Sequence, residues 1–158
     1  MADSRTRDLV LAPAQPDDAI RIATLSRDLI EAGLAWSWTT DRVTKSIAHP
    51  ETVVLTASHH GNLIGFAIME FGMTSAHLSL LAVSEPCQRQ GIGRRLFEWL
   101  RKSALTAGIG EIKVEMRANN AAARKFYGRL GFLEIGLVAG YYQRREDALR
   151  MKVNLLVR

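Results

Sequence analysis

Between Leu80 and Leu96 the chain reads LLAVSEPCQRQGIGRRL, an apolar strand, a short polar loop with two glycines, and the start of an amphipathic helix. Gly91 and Gly93 let the backbone approach a ligand closely, and the N–H groups left over at a helix start, with the positive end of the dipole, attract an anion. Arg89, Arg94 and Arg95 add positive charge. The stretch therefore reads as a phosphate cradle, or, taken alone, as an ordinary glycine turn opening a helix. Two well-known nucleotide loops do not match it. A dinucleotide fingerprint needs a third glycine where Leu96 stands, and a Walker loop needs a Lys-Ser or Lys-Thr that does not follow.

At 158 residues the chain has the size of one domain with a substantial core, and it is expected to be a single domain with a flexible tail over residues 1–6. Hydrophobic residues at 47% and charged residues at 23% make an ordinary globular balance, and no apolar run approaches a membrane span. The opening MADSRTRD lacks the apolar core of a secretory signal, so the cytoplasm is the expected location. Cys87, the single cysteine, excludes an internal disulfide and reads either as a reactive thiol or as an incidental loop residue. His49, His59, His60 and His77 show no ligand spacing and no paired carboxylate, so no metal is expected. A net charge of +5 and a pI of 9.8 favour anionic partners. No helix-turn-helix, zinc or aromatic-basic signature accompanies the charge, so nucleic acid is not the expected one.

In chain order, Leu9 to Ala12 is expected as an edge strand ended by Pro13 and Pro16. A helix follows, with Asp17 and Asp18 in its first turn and Ile20, Ala23, Leu25, Leu29 and Ile30 on its apolar face, stopping near Gly33. Thr40 is expected to cap a short second helix carrying Val43 and Ile47, closed by Pro50. Thr52 to Ser58 and Leu63 to Phe71 read as a hairpin turning at His59 to Asn62. Ala76 to Val83 reads as a central strand, apolar on both faces. A helix from Gly91 to Ala107 places Ile92, Leu96, Trp99 and Leu100 on one stripe and ends at Gly108. Ile109 to Arg117 alternates Ile112, Val114 and Met116 against Glu111, Lys113, Glu115 and Arg117. Asn119 or Asn120 caps a helix from Ala121 to Leu130, ended by Gly131. Phe132 to Tyr142 and Ala148 to Val157 are expected as an antiparallel pair joined by Gln143 to Asp147.

Two motifs in this order carry a resemblance. Gln88-Arg89-Gln90-Gly91-Ile92-Gly93 is similar to the Q/R-x-x-G-x-G/A signature of the GNAT N-acetyltransferase superfamily. Asn120 to Phe132, with Ala123, Tyr127 and Gly131 in step, resembles its N-x-x-A-x-x-x-Y-x-x-x-G-F pattern. Within the superfamily, Val114 to Ala121, together with Tyr141-Tyr142, Glu146-Asp147-Ala148 and Met151, looks closest to the ribosomal-protein alanine N-acetyltransferases. The spacer Gln143-Arg144-Arg145 is shorter than theirs, and Trp36-Ser37-Trp38 departs from them.

The resemblance implies an α/β fold, a single domain with a mixed, largely antiparallel central sheet flanked by helices. It implies acetyl transfer from acetyl-CoA directly to an amine, without a covalent enzyme intermediate. Backbone groups of Leu81, Ala82 and Val83 would meet the pantetheine, and Gln88, Arg89, Gln90, Gly91, Ile92, Gly93 and Arg94 would hold the pyrophosphate. Asn120 and Ala123 would lie along the pantetheine arm, Tyr127 beside the thioester sulfur, and Glu115 where the family's alanine enzymes carry a catalytic glutamate. Tyr141 and Tyr142 would border the acceptor groove. Read from the residues alone, Asn120 is also a plain helix cap, Tyr127 a core tyrosine and Glu115 a salt-bridged strand residue. Trp36 and Trp38 either line an acceptor pocket or close the core.

The reaction asks for a base and an acid, because an amine is protonated near neutral pH and the leaving group is a thiolate. Tyr127 is the expected acid, although proton transfer from a phenol near 10 to a thiolate near 8.5 is uphill by about 2 kcal/mol. The expected acceptor is a protein or peptide N-terminal amine. A small amine and a non-catalytic acyl-CoA-binding module are the alternatives, and the positive net charge weighs against polyamines.

Overall fold

The computed structural model describes residues 8–156, so the tail expected over residues 1–6 lies outside it, as does Val157. Among the described residues seven strands form one sheet: Leu9–Pro13 (β1), Thr52–His59 (β2), Asn62–Phe71 (β3), Ser75–Val83 (β4), Glu111–Arg117 (β5), Leu133–Tyr142 (β6) and Glu146–Asn154 (β7). Their order is β1-β2-β3-β4-β5-β7-β6. Only β4 and β5 run parallel; the other neighbours are antiparallel. Four helices flank the sheet, Ala19–Leu29 (α1), Thr40–Ala48 (α2), Ile92–Thr106 (α3) and Ala121–Arg129 (α4).

The local signals act through recognisable chemistry, with several corrections. His60 and Gly61 sit at φ 50° and 79°, the left-handed pair that a tight two-residue hairpin requires. β1 includes Pro13, which an edge strand accommodates because no ladder partner needs its missing N–H. α1 buries Ala19, Ile22, Ala23 and Ser26, whereas Ile20 is 62% exposed; one residue on from Ala19, it is turned away from that face. The cap of α2 is Thr39 rather than Thr40, its hydroxyl accepting from Arg42 N at 3.3 Å. In α3 the deep position belongs to Phe97, 1% exposed, and Trp99 packs half-buried beside the core. β5 begins two residues later than expected and β7 two residues earlier, which shortens the last hairpin turn to Gln143-Arg144-Arg145.

Two apolar layers sandwich the sheet. On one side α3 and α4 pack Ile92, Leu96, Phe97, Leu100 and Tyr127 against β3, β4, β5 and β7. On the other, α1 and α2 cover Val54, Phe66, Ile68, Leu80 and Ala82. β4 is apolar on both faces, as expected, only from Leu80 to Val83; before that, one face carries Ser75 and His77. Leu78 pairs with Met69 and Leu80 with Ile68, so Ser79 is an extra residue, a bulge. The bulge turns the strand over: Ala76 and Leu78 belong to the α3 side, Leu80 and Ala82 to the α1 side. His77, paired with Glu70, consequently faces the α1 side, beyond the stretch of sheet that α1 and α2 cover. Among the described residues no helix is long and apolar enough to cross a membrane.

Candidate active site

The bulge marks the place where the sheet opens. The β4–β5 ladder runs from Ser75 and Glu111 to Leu78 and Val114 and stops there. Leu80 to Val83 continue along β3, and Glu115 to Arg117 continue along β7. Two adjacent parallel strands that part midway leave main-chain groups facing a cleft, and such groups need a partner. Leu81, Ala82 and Val83 line the β4 wall, with the side chain of Ala82 buried on the α1 side and those of Leu81 and Val83 half-buried on the α3 side.

At the end of that wall the chain enters the glycine loop. Arg89 and Gly91 both take positive φ, 62° and 80°, which curls the backbone just before α3. Gly91 is the N-cap, no side chain caps the first turn, and Arg95 N donates to Gly91 O at 3.1 Å. The N–H groups of Ile92, Gly93 and Arg94 therefore precede the helical ladder, the arrangement that binds anions. A Cβ on Gly93 would stand 3.1 Å from the ring of Phe126, so α3 and α4 pack closely there and a side chain would have to push that ring aside. Ile92 is buried and offers only its backbone, while Gln88, Arg89 and Arg94 are exposed. The Gln88 side chain donates to Val83 O at 2.8 Å and ties the loop to the β4 wall. Gln90 reaches Pro86 O at 3.5 Å. Cys87 is buried in the α3-side core.

Asn120 Oδ1 accepts from Ala123 N at 3.0 Å, closing the first turn of α4, so the carbonyl is engaged by the cap and the side-chain NH₂ is the group left to meet a ligand. Tyr127, 6% exposed, is boxed edge-on by Phe126 and Phe132. Burial raises its pKa well above the usual phenol, and the nearby Tyr142 adds to the effect.

On the α1 side of the opening lies an ionic network. Glu115 Oε2 is bound to His77 Nε2, and Glu115 Oε1 accepts from Arg150 Nε at 2.9 Å. His77 Nδ1 lies 3.2 Å from Ser79 Oγ and 3.8 Å from Glu70 Oε2. Burial alone would raise the Glu115 pKa, but the hydrogen bond and charge of His77, then Arg150, outweigh it and hold the carboxyl below its usual range. The hydrogen bond to Glu115 raises His77 against the opposing effect of burial, and the charges of Glu115 and Glu70 add to the rise. Tyr141 and Tyr142 pack edge-on, 4.9 Å between centroids. Burial raises both phenols, and each feels the Glu115 charge.

The α1–α2 connection closes over the same side. Glu31, buried at 6%, accepts from Ser37 N and Trp38 N at 2.8 and 3.2 Å. Trp38 is 9% exposed within the α1-side core, with Arg42 stacked 3.7 Å over its ring. Trp36 is 39% exposed and lies near Arg27. Gln143, at the tip of the β6–β7 turn, grips Ala35 twice: its Oε1 accepts from Ala35 N at 3.0 Å and its Nε2 donates to Ala35 O at 2.8 Å.

A family model for the acetyltransferase (GNAT) domain matches residues 23–154. The chain belongs to the GNAT acetyltransferase family. This GNAT domain is 38% identical over 97 residues to the [Ribosomal protein bS18]-alanine N-acetyltransferase of Escherichia coli, a match covering 60% of this chain and 66% of that one. The matched stretch thus spans just under two thirds of the relative's length. The crystal structure of the Escherichia coli enzyme superposes with a TM-score of 0.79 at 26% identity, covering 95% of this chain and 96% of that one. A structure of Ard1 from Thermoplasma volcanium superposes at 0.84 and 20% identity, covering 95% and 99%, a likeness of fold.

Set against the sequence reading, this GNAT domain brings the glycine loop, the β4 wall and the capped start of α4 around one opening. Glu115 and the two tyrosines of β6 gather on the α1 side of it. Sequence reasoning missed His77, Arg150, Glu70 and Gln143. A histidine in the middle of a largely apolar strand was the available signal, but its partner Glu115 lies 38 residues on, and the parallel β4–β5 pairing is what joins them. The expectation that no histidine pairs with a carboxylate is also corrected at the β2–β3 turn, where Asp8, His59 and His60 bring their ligand atoms within 4.8 Å of one another.

Proposed function

We propose that the protein is an acetyl-CoA-dependent N-acetyltransferase whose acceptor is the N-terminal amine of a protein or peptide. The observation that carries this reading is the parting of β4 and β5 beside an uncapped, glycine-started helix. The opening offers main-chain hydrogen-bond groups to an extended amide-bearing arm, and the helix start offers N–H groups to a pyrophosphate.

Within that frame Arg89 and Arg94 supply positive charge at the loop, and Asn120 presents its NH₂ toward the arm. Tyr127 stays protonated at every working pH because burial raises its pKa. Its elevation makes outright proton transfer to a thiolate steeper than the unperturbed values imply, so the phenol serves as a hydrogen-bond donor to the departing sulfur. The amine enters from the α1 side, between the Gln143–Ala35 bridge, Tyr141 and the Glu115 network. The Escherichia coli relative, named for the acetylation of an alanine of a ribosomal protein, supports a terminal amine as acceptor.

The test is thiol release from acetyl-CoA by purified protein offered peptides with different first residues alongside small amines. Selective turnover on a peptide is the expected result. Turnover confined to a small amine would keep the acetyltransferase reading and discard the peptide acceptor. Binding of acetyl-CoA with no turnover on any amine would reduce the protein to an acyl-CoA-binding module.

A further inference from the structure

We propose that Nδ1 of His77 takes the proton from the incoming ammonium, with Glu115 fixing the imidazole from behind and Glu70 receiving the cation. The inference rests on the acetyltransferase reading above and assigns the base within it.

Glu115 itself is poorly disposed to be that base. Its side chain is 8% exposed, one oxygen accepts from Arg150 and the other is bound to His77. A carboxylate with both oxygens engaged, and stabilised in its charged form, has lost basicity. His77 differs on each count. Its side chain is 37% exposed, and it stands on β4 just before the bulge where the strands part. An ionised carboxylate can only accept, so neutral His77 carries its hydrogen on Nε2, toward Glu115, and keeps a lone pair on Nδ1. That lone pair faces Ser79 Oγ at 3.2 Å and lies 3.8 Å from Glu70 Oε2. An ammonium lodged there displaces the Ser79 hydroxyl and meets one neutral acceptor and one counter-charge.

The charged and titratable groups around the pair come from every adjoining element. Glu70 comes from β3, and Lys113 lies beside His77 in the β4–β5 register. Arg150 comes from β7, Tyr141 from β6 and Arg42 from α2. The ammonium surrenders two protons in all. Nδ1 takes the first, releasing the nitrogen lone pair for attack on the thioester carbonyl carbon. The C–N bond forms, the C–S bond breaks, and the sulfur leaves with its electron pair. The second proton ends on that sulfur, while His77 passes the first to water.

The 158-residue chain serves for the test. In the protein without ligands, the ¹⁵N shifts of His77 are expected to report hydrogen on Nε2 and a bare Nδ1 above the imidazole midpoint; the opposite tautomer overturns the proposal. With acetyl-CoA and a peptide acceptor, kcat/KM is expected to rise with pH along the imidazole's own titration. Glu70→Gln, which removes one carboxylate, is expected to lower both midpoints together, and a kinetic limb that stays while the NMR midpoint moves overturns the proposal. His77→Gln is expected to cut kcat by about 10²–10⁴-fold while acetyl-CoA affinity by calorimetry stays within about twofold, and a loss below about threefold overturns it. A wild-type protein that acetylates no amine refutes the acetyltransferase reading and this proposal together. An active wild type with a fully active His77→Gln refutes the proposal alone.

Discussion

Gly91→Ala isolates what the curl of the glycine loop contributes. Gly91 sits at φ +80°, and a Cβ built there meets nothing within 4 Å, so the substitution costs backbone strain and no collision. An L-residue in the left-handed region costs about 1–2 kcal/mol. If the loop keeps its curl, the strain appears as lost stability; if it relaxes, the strain returns when acetyl-CoA restores the curl. The sum is fixed. Chemical denaturation of the protein saturated with acetyl-CoA should therefore show a loss of about 1–2 kcal/mol however it is divided, and complete relaxation would raise Kd by about 5- to 30-fold. Gly61→Ala is the control, since it has φ +79° and equally open surroundings at the β2–β3 turn. It should lose similar stability and leave the acetyl-CoA Kd unchanged. A saturated Gly91→Ala protein within about 0.5 kcal/mol of wild type would refute the claim that binding needs the curl.

The His77–Glu115 pair makes stability depend on pH in two directions. The folded pKa of His77 is raised above 6.5, so its contribution is complete below that value and fades as pH rises through the folded one; that of Glu115 is lowered below 4.5, so its contribution is complete above that value and fades as pH falls through the folded one. Thermal melts should show His77→Gln flattening the decline above pH 6.5, and an unaltered slope would remove the pair from the account. Gln143→Ala severs both bonds to Ala35. At about 0.5 kcal/mol for each exposed bond, acceptor kcat/KM should fall about fivefold with acetyl-CoA affinity intact. Equal loss of both would mean that the bridge supports the fold rather than the acceptor side.

What was legible in the chain is what depends on near neighbours. Ile112, Val114 and Met116 alternate inward as their spacing says, and Gly91, Gly108 and Gly131 mark helix ends through positive φ. The two motifs placed the glycine loop and α4 because each is a contiguous run. Illegible were features decided by register between distant strands. Ser79 is polar in an apolar strand, yet nothing local says that it is an added residue. Glu115 was found on the charged face of β5, but its ties to His77 and Arg150 follow from which strands lie on either side of β5. Gln143 and Ala35 are 108 residues apart, and short-range pattern carries no information about such a bridge. Phe97 and Trp99 compete for one stripe, and the choice of the deeper position belongs to the packing of α3 on the sheet.

The inserted residue at Ser79 makes β4 a counted length of chain. Its side chain is open to exchange, since the bulge needs a residue there more than it needs a hydroxyl, but the position itself cannot be deleted without consequence. Removing one residue at that point would restore an uninterrupted ladder with β3 and rotate everything before it by half a turn. Ala76 and Leu78 would then be turned out to water, and His77 would be driven under α3. A lineage carrying this strand can exchange the Ser79 side chain while the spacing stays fixed, so at this position gaps should be far rarer than substitutions.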